Sequence, residues 1–250
     1  MSDKAQPITF TVQQQVYLWL TVLFVSSLLV ADVLGVKLFR IPLGFSFSLP
    51  WEDGEIDAIR HTCGMLTFPV TFLLTDLLNE YYGKAAARRV VWIGFAAGGF
   101  AFLCINVALA MPHWDVPFNV SKQAFADVFS SARIMYVASL AAYLVGSMAD
   151  IWMFGWLKRL TGGRLVWLRA TGSTVASQMV DSLVVTWLAF SVGRTLIEGG
   201  GEPMPMGEVL KAAATGYLLK LVIALCLTPV IYAGRRVLES RFGLVPLPPE

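Results

Sequence analysis

Asp76, Asn79 and Glu80 fall within one helical turn of each other in the run Leu73-Leu74-Thr75-Asp76-Leu77-Leu78-Asn79-Glu80-Tyr81-Tyr82-Gly83-Lys84, at the inner end of an otherwise apolar segment. A charged side chain in a bilayer costs roughly 2.5 to 3.5 kcal/mol on insertion scales, so an acid retained there reads as part of a substrate or ion site. The later polar residues gather on faces. Ser139, Tyr143, Gly146 and Asp150 follow i, i+4, i+7, i+11 and line one stripe of a helix. Ser173, Thr174, Ser177, Gln178 and Asp181 crowd one side of the next, and Tyr217 and Lys220 follow on the last. Asp181 and Lys220 are expected at similar depth, where opposite charges pair. Carboxylates, amides, hydroxyls and one Lys converging inside a bundle suit the binding of a small polar solute.

The elements that must carry these residues are membrane helices. The chain is 56% apolar and 14% charged, against about 25% charged in ordinary soluble domains. Runs long enough to cross about 30 Å of hydrocarbon number six. They are expected near Val16 to Val36, Gly64 to Tyr82, Val90 to Met111, Ile134 to Leu157, Ala170 to Val192 and Val209 to Tyr232. The fold class is therefore an all-α membrane protein, a compact six-helix bundle in one domain spanning residues 1–250. The first run is too long for a signal-peptide core and counts as a helix.

Basic residues cluster in alternate connections: Lys84, Arg88 and Arg89; Lys158, Arg159, Arg164 and Arg169; Arg235, Arg236 and Arg241. With Lys4 they outnumber Lys37, Arg40, Arg60, Lys122, Arg133, Arg194 and Lys211 on the other side, which places both termini in the cytoplasm. The connection after the first helix, Ile41 to Trp51 followed by acidic Glu52, Asp53 and Glu55, is expected as a solvated connector, or as an interfacial segment or lid. Gly94, Gly98 and Ala101 form a small-residue packing face whose partner helix belongs to the same chain or to a second copy in a homo-oligomer. Pro229 is expected to kink the last helix or mark its inner end.

Several classes are excluded. Cys63, Cys104 and Cys226 have no metal spacing, and His61 and His113 share no motif, so neither a metal nor a cofactor is expected. No Gly-rich phosphate loop is present, and neither are the paired acids or helix-borne His of an intramembrane protease, so an enzyme is not expected.

The Thr75 to Lys84 block with Ala87-Arg88-Arg89 resembles the signature of the queuosine precursor transporter family, also called the vitamin uptake transporter family. Ala138 to Gly146 with Asp150 is similar to the family's fourth helix. Trp167-Leu168-Arg169 leading to Ser173, Thr174, Ser177, Gln178 and Asp181 is similar to its fifth, and Lys220 with Thr228, Pro229 and Tyr232 to its sixth. The sequence departs from the family at Ser147, where Gln is common, at Asp32, where Asn is usual, and in its longer loop.

The resemblance implies an inner-membrane importer of a purine-like base, 7-cyano-7-deazaguanine or its 7-aminomethyl relative, salvaged for tRNA modification by a proton-coupled symport. It implies no nucleic-acid partner beyond the lipid bilayer and the small molecule. Asp76, Asn79, Glu80, Asp150, Ser177, Gln178, Asp181 and Lys220 would bind the substrate. A carboxylate suits the N1 hydrogen and 2-amino group of a guanine-like edge, and amides, hydroxyls or Lys suit its carbonyl and ring nitrogen. Phe72, Tyr143 and Trp152 are alternatives for stacking the ring, and Asp32 suits a gate or proton relay. The competing reading is a substrate-capture subunit of an ATP-driven vitamin importer.

Overall fold

The computed structural model describes residues 9–51, 54–129, 133–196 and 202–248. Helix α1 spans Val12–Leu34 and starts at Thr11, whose side chain accepts from Gln14 N–H while Gln14 answers the Thr11 N–H, a capping box. The remaining elements are strands β1, Leu38–Ser48, and β2, Glu55–Thr62; α2, Phe68–Ala110; α3, Lys122–Phe129; and α4, Arg133–Leu160. Then come α5, Val166–Trp187; a π-helical turn, Leu188–Val192; α6, Gly193–Leu196; and α7, Met206–Phe242. Among the described residues, five helices are long and apolar enough to cross a membrane.

The expected second and third helices are joined in α2. A 43-residue helix would be about 65 Å long at 1.5 Å per residue, twice the hydrocarbon thickness. It is broken at Gly83, whose φ of 81° and ψ of 169° suit glycine alone. The contacts on either side show what the break does. An added Cβ on Gly64 would strike the Ala31 carbonyl at 2.6 Å, so the approach to α2 lies against the C-terminal end of α1. Tyr82 donates to the Gln13 carbonyl and Tyr17 donates to the Ala86 carbonyl, both at the N-terminal end of α1. Phe102 and Ile105 then line a cleft with Asp32 and Val36, back at the first end. The chain therefore reverses at Gly83, and residues 68–82 and 84–110 run in opposite directions beside α1.

The expectation of an all-helical chain is corrected between α1 and α2. Strands β1 and β2 pair antiparallel, from Leu38 opposite Thr62 to Ser48 opposite Glu55, with an irregularity between Pro42 and Phe47. The two-residue alternation of Phe45-Ser46-Phe47-Ser48 and of Ile56-Asp57-Ala58-Ile59-Arg60 is strand periodicity, masked by the apolar character of the segment. Asp57 bridges the strands, bonded to Arg40 at 2.5 Å and Arg60 at 2.6 Å. Glu52, Asp53 and Lys4 lie outside the described residues. At the other end, α7 runs ten residues past Tyr232, so Pro229 lies inside the helix and does not end it.

Burial is inverted relative to a soluble domain. Trp19, Phe100, Leu103, Val222 and Leu225 are exposed on the outside, while Asp76, Glu80, Asp150, Gln178 and Asp181 are buried. The core between α1, α2 and α4 is apolar, built on Phe24, Leu28, Leu78, Val90, Val91 and Tyr143.

Candidate substrate site

Residues 68–82 of α2, α4, α5 and α7 enclose the polar residues. Helix α5 serves two faces at once, because residues one apart on a helix point about 100° away from each other. Ser177 turns toward α4 and donates to Asp150 Oδ1 at 3.1 Å. Thr174 and Gln178 turn toward α7, lining a cleft with Met65, Phe68, Phe72 and Lys220. The cleft is narrow, with room for little more than a water molecule. Gly146 lets α4 come this close: a Cβ there would lie 3.0 Å from Asp181 Cβ.

The expected pair is present. Lys220 Nζ donates to Asp181 Oδ2 at 2.5 Å, both side chains nearly buried, and the ammonium lies 5.7 Å from the Phe68 ring centroid. Asp76 is different. It is 3% exposed, and neither carboxylate oxygen has a hydrogen-bond partner. Asp150 Oδ2 and Gln178 Nε2 are likewise buried without partners. Asp76 lies within electrostatic reach of Asp150, Glu80 and Arg169. Leaving such groups unmet costs about 1 to 3 kcal/mol each, and more for a charge. Asp76 and Asp150, within electrostatic reach of each other, thus present unmet polar atoms that a ligand can satisfy.

Not every expected residue joins it. Asn79 spends its amide on the Ile151 carbonyl at 3.2 Å, fastening α2 to α4. Glu80 is engaged by Arg169, by Lys158 at 3.1 Å and by Arg235 at 3.8 Å, and Leu247 N–H donates to its carbonyl at 2.9 Å. It anchors the basic end of the bundle. Phe72 lines the cleft and meets Phe68 edge to face at 5.1 Å. The other two stacking alternatives are corrected. Tyr143 packs against Phe24 and donates to the Val91 carbonyl at 2.9 Å, on the α1 side of α4. Trp152 is 52% exposed on the outer surface, because the helical turn that points Asp150 inward turns it outward. Asp32 lines a separate cleft with Tyr136, Arg133 and Phe102.

Two groups were missed from sequence. Phe68 sits one turn before Phe72, a spacing that was available as a signal. The Lys158–Arg169–Arg235 cluster around Glu80 was counted only as loop charge, since nothing in their spacing announces that three helix ends meet at one acid.

Residues 62–234 match the family described as "Putative vitamin uptake transporter". The chain belongs to this family. The matched region contains every polar residue of the site, and the protein is a transporter and not an enzyme. The transporter is 29% identical over 188 residues to the "Probable queuosine precursor transporter" of Bacillus subtilis, covering 74% of this chain and 76% of the relative. It is 28% identical over 193 residues to the Haemophilus influenzae protein of the same name, covering 75% and 74%. It is also 31% identical over 129 residues to the "Queuosine precursor transporter" of Escherichia coli, covering 52% and 55%. No solved structure matches the chain.

Proposed function

We propose that the transporter imports queuosine precursors, 7-cyano-7-deazaguanine or 7-aminomethyl-7-deazaguanine, across the bacterial inner membrane by alternating access, driven by the proton gradient. The carrying observation is that Asp76, Asp150 and Gln178 are buried without hydrogen-bond partners at the polar atoms named above, Gln178 lining an aromatic cleft, in a chain whose relatives are named queuosine precursor transporters. Asp76 offers two free oxygens to the N1–H and 2-amino hydrogens of a guanine-like edge. Gln178 Nε2 donates to the base carbonyl, and Phe72 and Phe68 flank the ring. This reading includes six crossings with both termini cytoplasmic, supported by the reversal at Gly83 and by the basic connections.

Purified transporter reconstituted alone in liposomes is expected to take up a labelled 7-deazaguanine precursor, saturably and in competition with the unlabelled base. Uptake that appears only when an ATPase partner is supplied would replace this reading with the capture subunit. No binding in either format would remove the substrate assignment.

A further inference from the structure

We propose that Asp150 is the carboxylate that carries the coupling proton and that Asp76 beside it receives the base, the two acids forming one coupled site. This rests on the import reading above. Among the described residues the buried acids are Asp76, Glu80, Asp150 and Asp181. Two of them are bonded to cations: Glu80 to Arg169 and Lys158, with Arg235 at 3.8 Å, and Asp181 to Lys220. Asp76 and Asp150 are not. Around Asp76 and Asp150, α2 adds Glu80 and α5 adds Arg169, while Lys158 of α4 is bonded to Glu80 and Lys220 of α7 to Asp181 of α5. Arg194 of α6 is exposed, next to a glycine that packs on Ile134 at the start of α4. Every buried cation in this set is already held by Glu80 or Asp181. Two neighbouring buried carboxylates without a bonded cation resist being charged together, so while the site is closed one of them holds a proton.

The hydrogen bonds divide the roles. Asp150 has one oxygen fixed by Ser177 and one oxygen free, which leaves a single place for a proton. Asp76 has both oxygens free, which suits two parallel N–H donors. In the cycle, a proton from the outer side adds to the Asp150 carboxylate and makes a neutral acid. Asp76, then the only charge of the pair, binds the base. When the site opens inward the acid gives its proton to the cytoplasm, and the restored Asp150 charge weakens the grip of Asp76 on the base. One proton crosses with each base, and no covalent bond changes.

The test uses full-length transporter in liposomes with a labelled 7-deazaguanine precursor, comparing wild type, Asp150→Asn, Asp150→Glu and Asp76→Asn, each checked for a monodisperse detergent profile. Two transport readouts are taken: accumulation driven by an inward proton gradient, and exchange of labelled for unlabelled base at equal pH. Asp150→Asn is expected to lose its response to the gradient, with accumulation falling to its level at equal pH, and Asp150→Glu, which keeps the acid, to retain that response; Asp76→Asn is expected to lose both readouts. The infrared carbonyl band of buried carboxylic acids is expected in wild type and weaker in Asp150→Asn, since Asp32, which also has a buried oxygen without a partner, can contribute to it. A gradient response that persists in Asp150→Asn, its absence in folded Asp150→Glu, or an infrared band undiminished in Asp150→Asn overturns the proton role. Wild type that exchanges base but ignores the proton gradient overturns the coupling while leaving the substrate reading intact. Wild type that exchanges no base overturns the substrate reading and this inference with it.

Discussion

The two acids facing α7 and α4 from neighbouring turns of α5 and α2 illustrate how differently one residue type behaves when its partner differs. Asp181 has Lys220 at 2.5 Å; Asp76 has no hydrogen-bond partner. Breaking a buried pair by removing one side leaves an uncompensated charge, at a cost of about 3 to 5 kcal/mol. Asp181→Asn and Lys220→Met are therefore each expected to lower thermal stability in detergent, and the double variant to recover most of the loss. Transport stays lost in the double, because Lys220 also lines the cleft. Additive losses, or a double variant that transports, would show that the pair has another role. Asp76→Asn has the opposite profile: no ion pair is broken, so the protein is expected to insert and melt like wild type or higher while uptake is abolished. Near-normal uptake by that variant would reduce Asp76 to packing.

At the scale of elements, Gly83 and the hairpin decide where the site sits. A side chain at φ 81° and ψ 169° is strained by about 1 to 3 kcal/mol. Gly83→Ala is thus expected to lower the melting temperature, whereas Gly99→Ala, where an added Cβ meets nothing within 4 Å, is expected to leave it unchanged. Equal melts would mean that the reversal does not depend on glycine. The hairpin brings His61 to within electrostatic reach of Lys220, and burial followed by that charge holds the imidazole below its ordinary pKa. Its Nδ1 also accepts from Thr62 N–H at 2.9 Å, which requires that nitrogen to be unprotonated. Because the folded value lies below the unfolded one, the contribution is complete above about pH 6.5 and is lost as the unfolded chain protonates below it. Acidification from pH 7.5 to 5.5 is expected to lower the melting temperature of wild type more than that of His61→Gln; equal shifts would remove His61 from the account.

These same elements mark how far the sequence could be read. Helix faces were legible because their polar residues recur at helical spacing: Ser177, Gln178 and Asp181 converge as expected, and so does Lys220. The depth of Asp76 was legible from a single acid in an apolar run. What was hidden depended on tertiary contacts. Nothing local assigns Tyr143 to the α1 side of α4 and not to the cleft, since both faces of that helix are buried. The hairpin was hidden by its apolar content, which suits an interfacial loop as well as a half-exposed strand.

The whole molecule is polarised along the bundle axis. At one end Glu80 gathers Lys158, Arg169 and Arg235, Tyr82 reaches Gln13, and Leu247 reaches Glu80, so both terminal segments meet there. At the other end the hairpin brings His61 within electrostatic reach of Lys220. The reversal at Gly83 fits this: in the proposed six-crossing arrangement the doubled helix crosses twice, which returns the C-terminus to the side of the N-terminus. Lys84, Arg88 and Arg89 follow the reversal directly, so the positive charge of three connections lies at that common end, the arrangement favoured for the cytoplasmic face. In a background with Cys63, Cys104 and Cys226 replaced, Phe45→Cys at the hairpin is therefore expected to react with a membrane-impermeant maleimide in intact cells. Arg88→Cys, exposed beside the reversal, is expected to react only after permeabilisation. Labelling of both in intact cells would mean that the doubled helix does not cross twice, and labelling of Arg88→Cys alone would turn the transporter upside down, with the ion cluster facing the exterior.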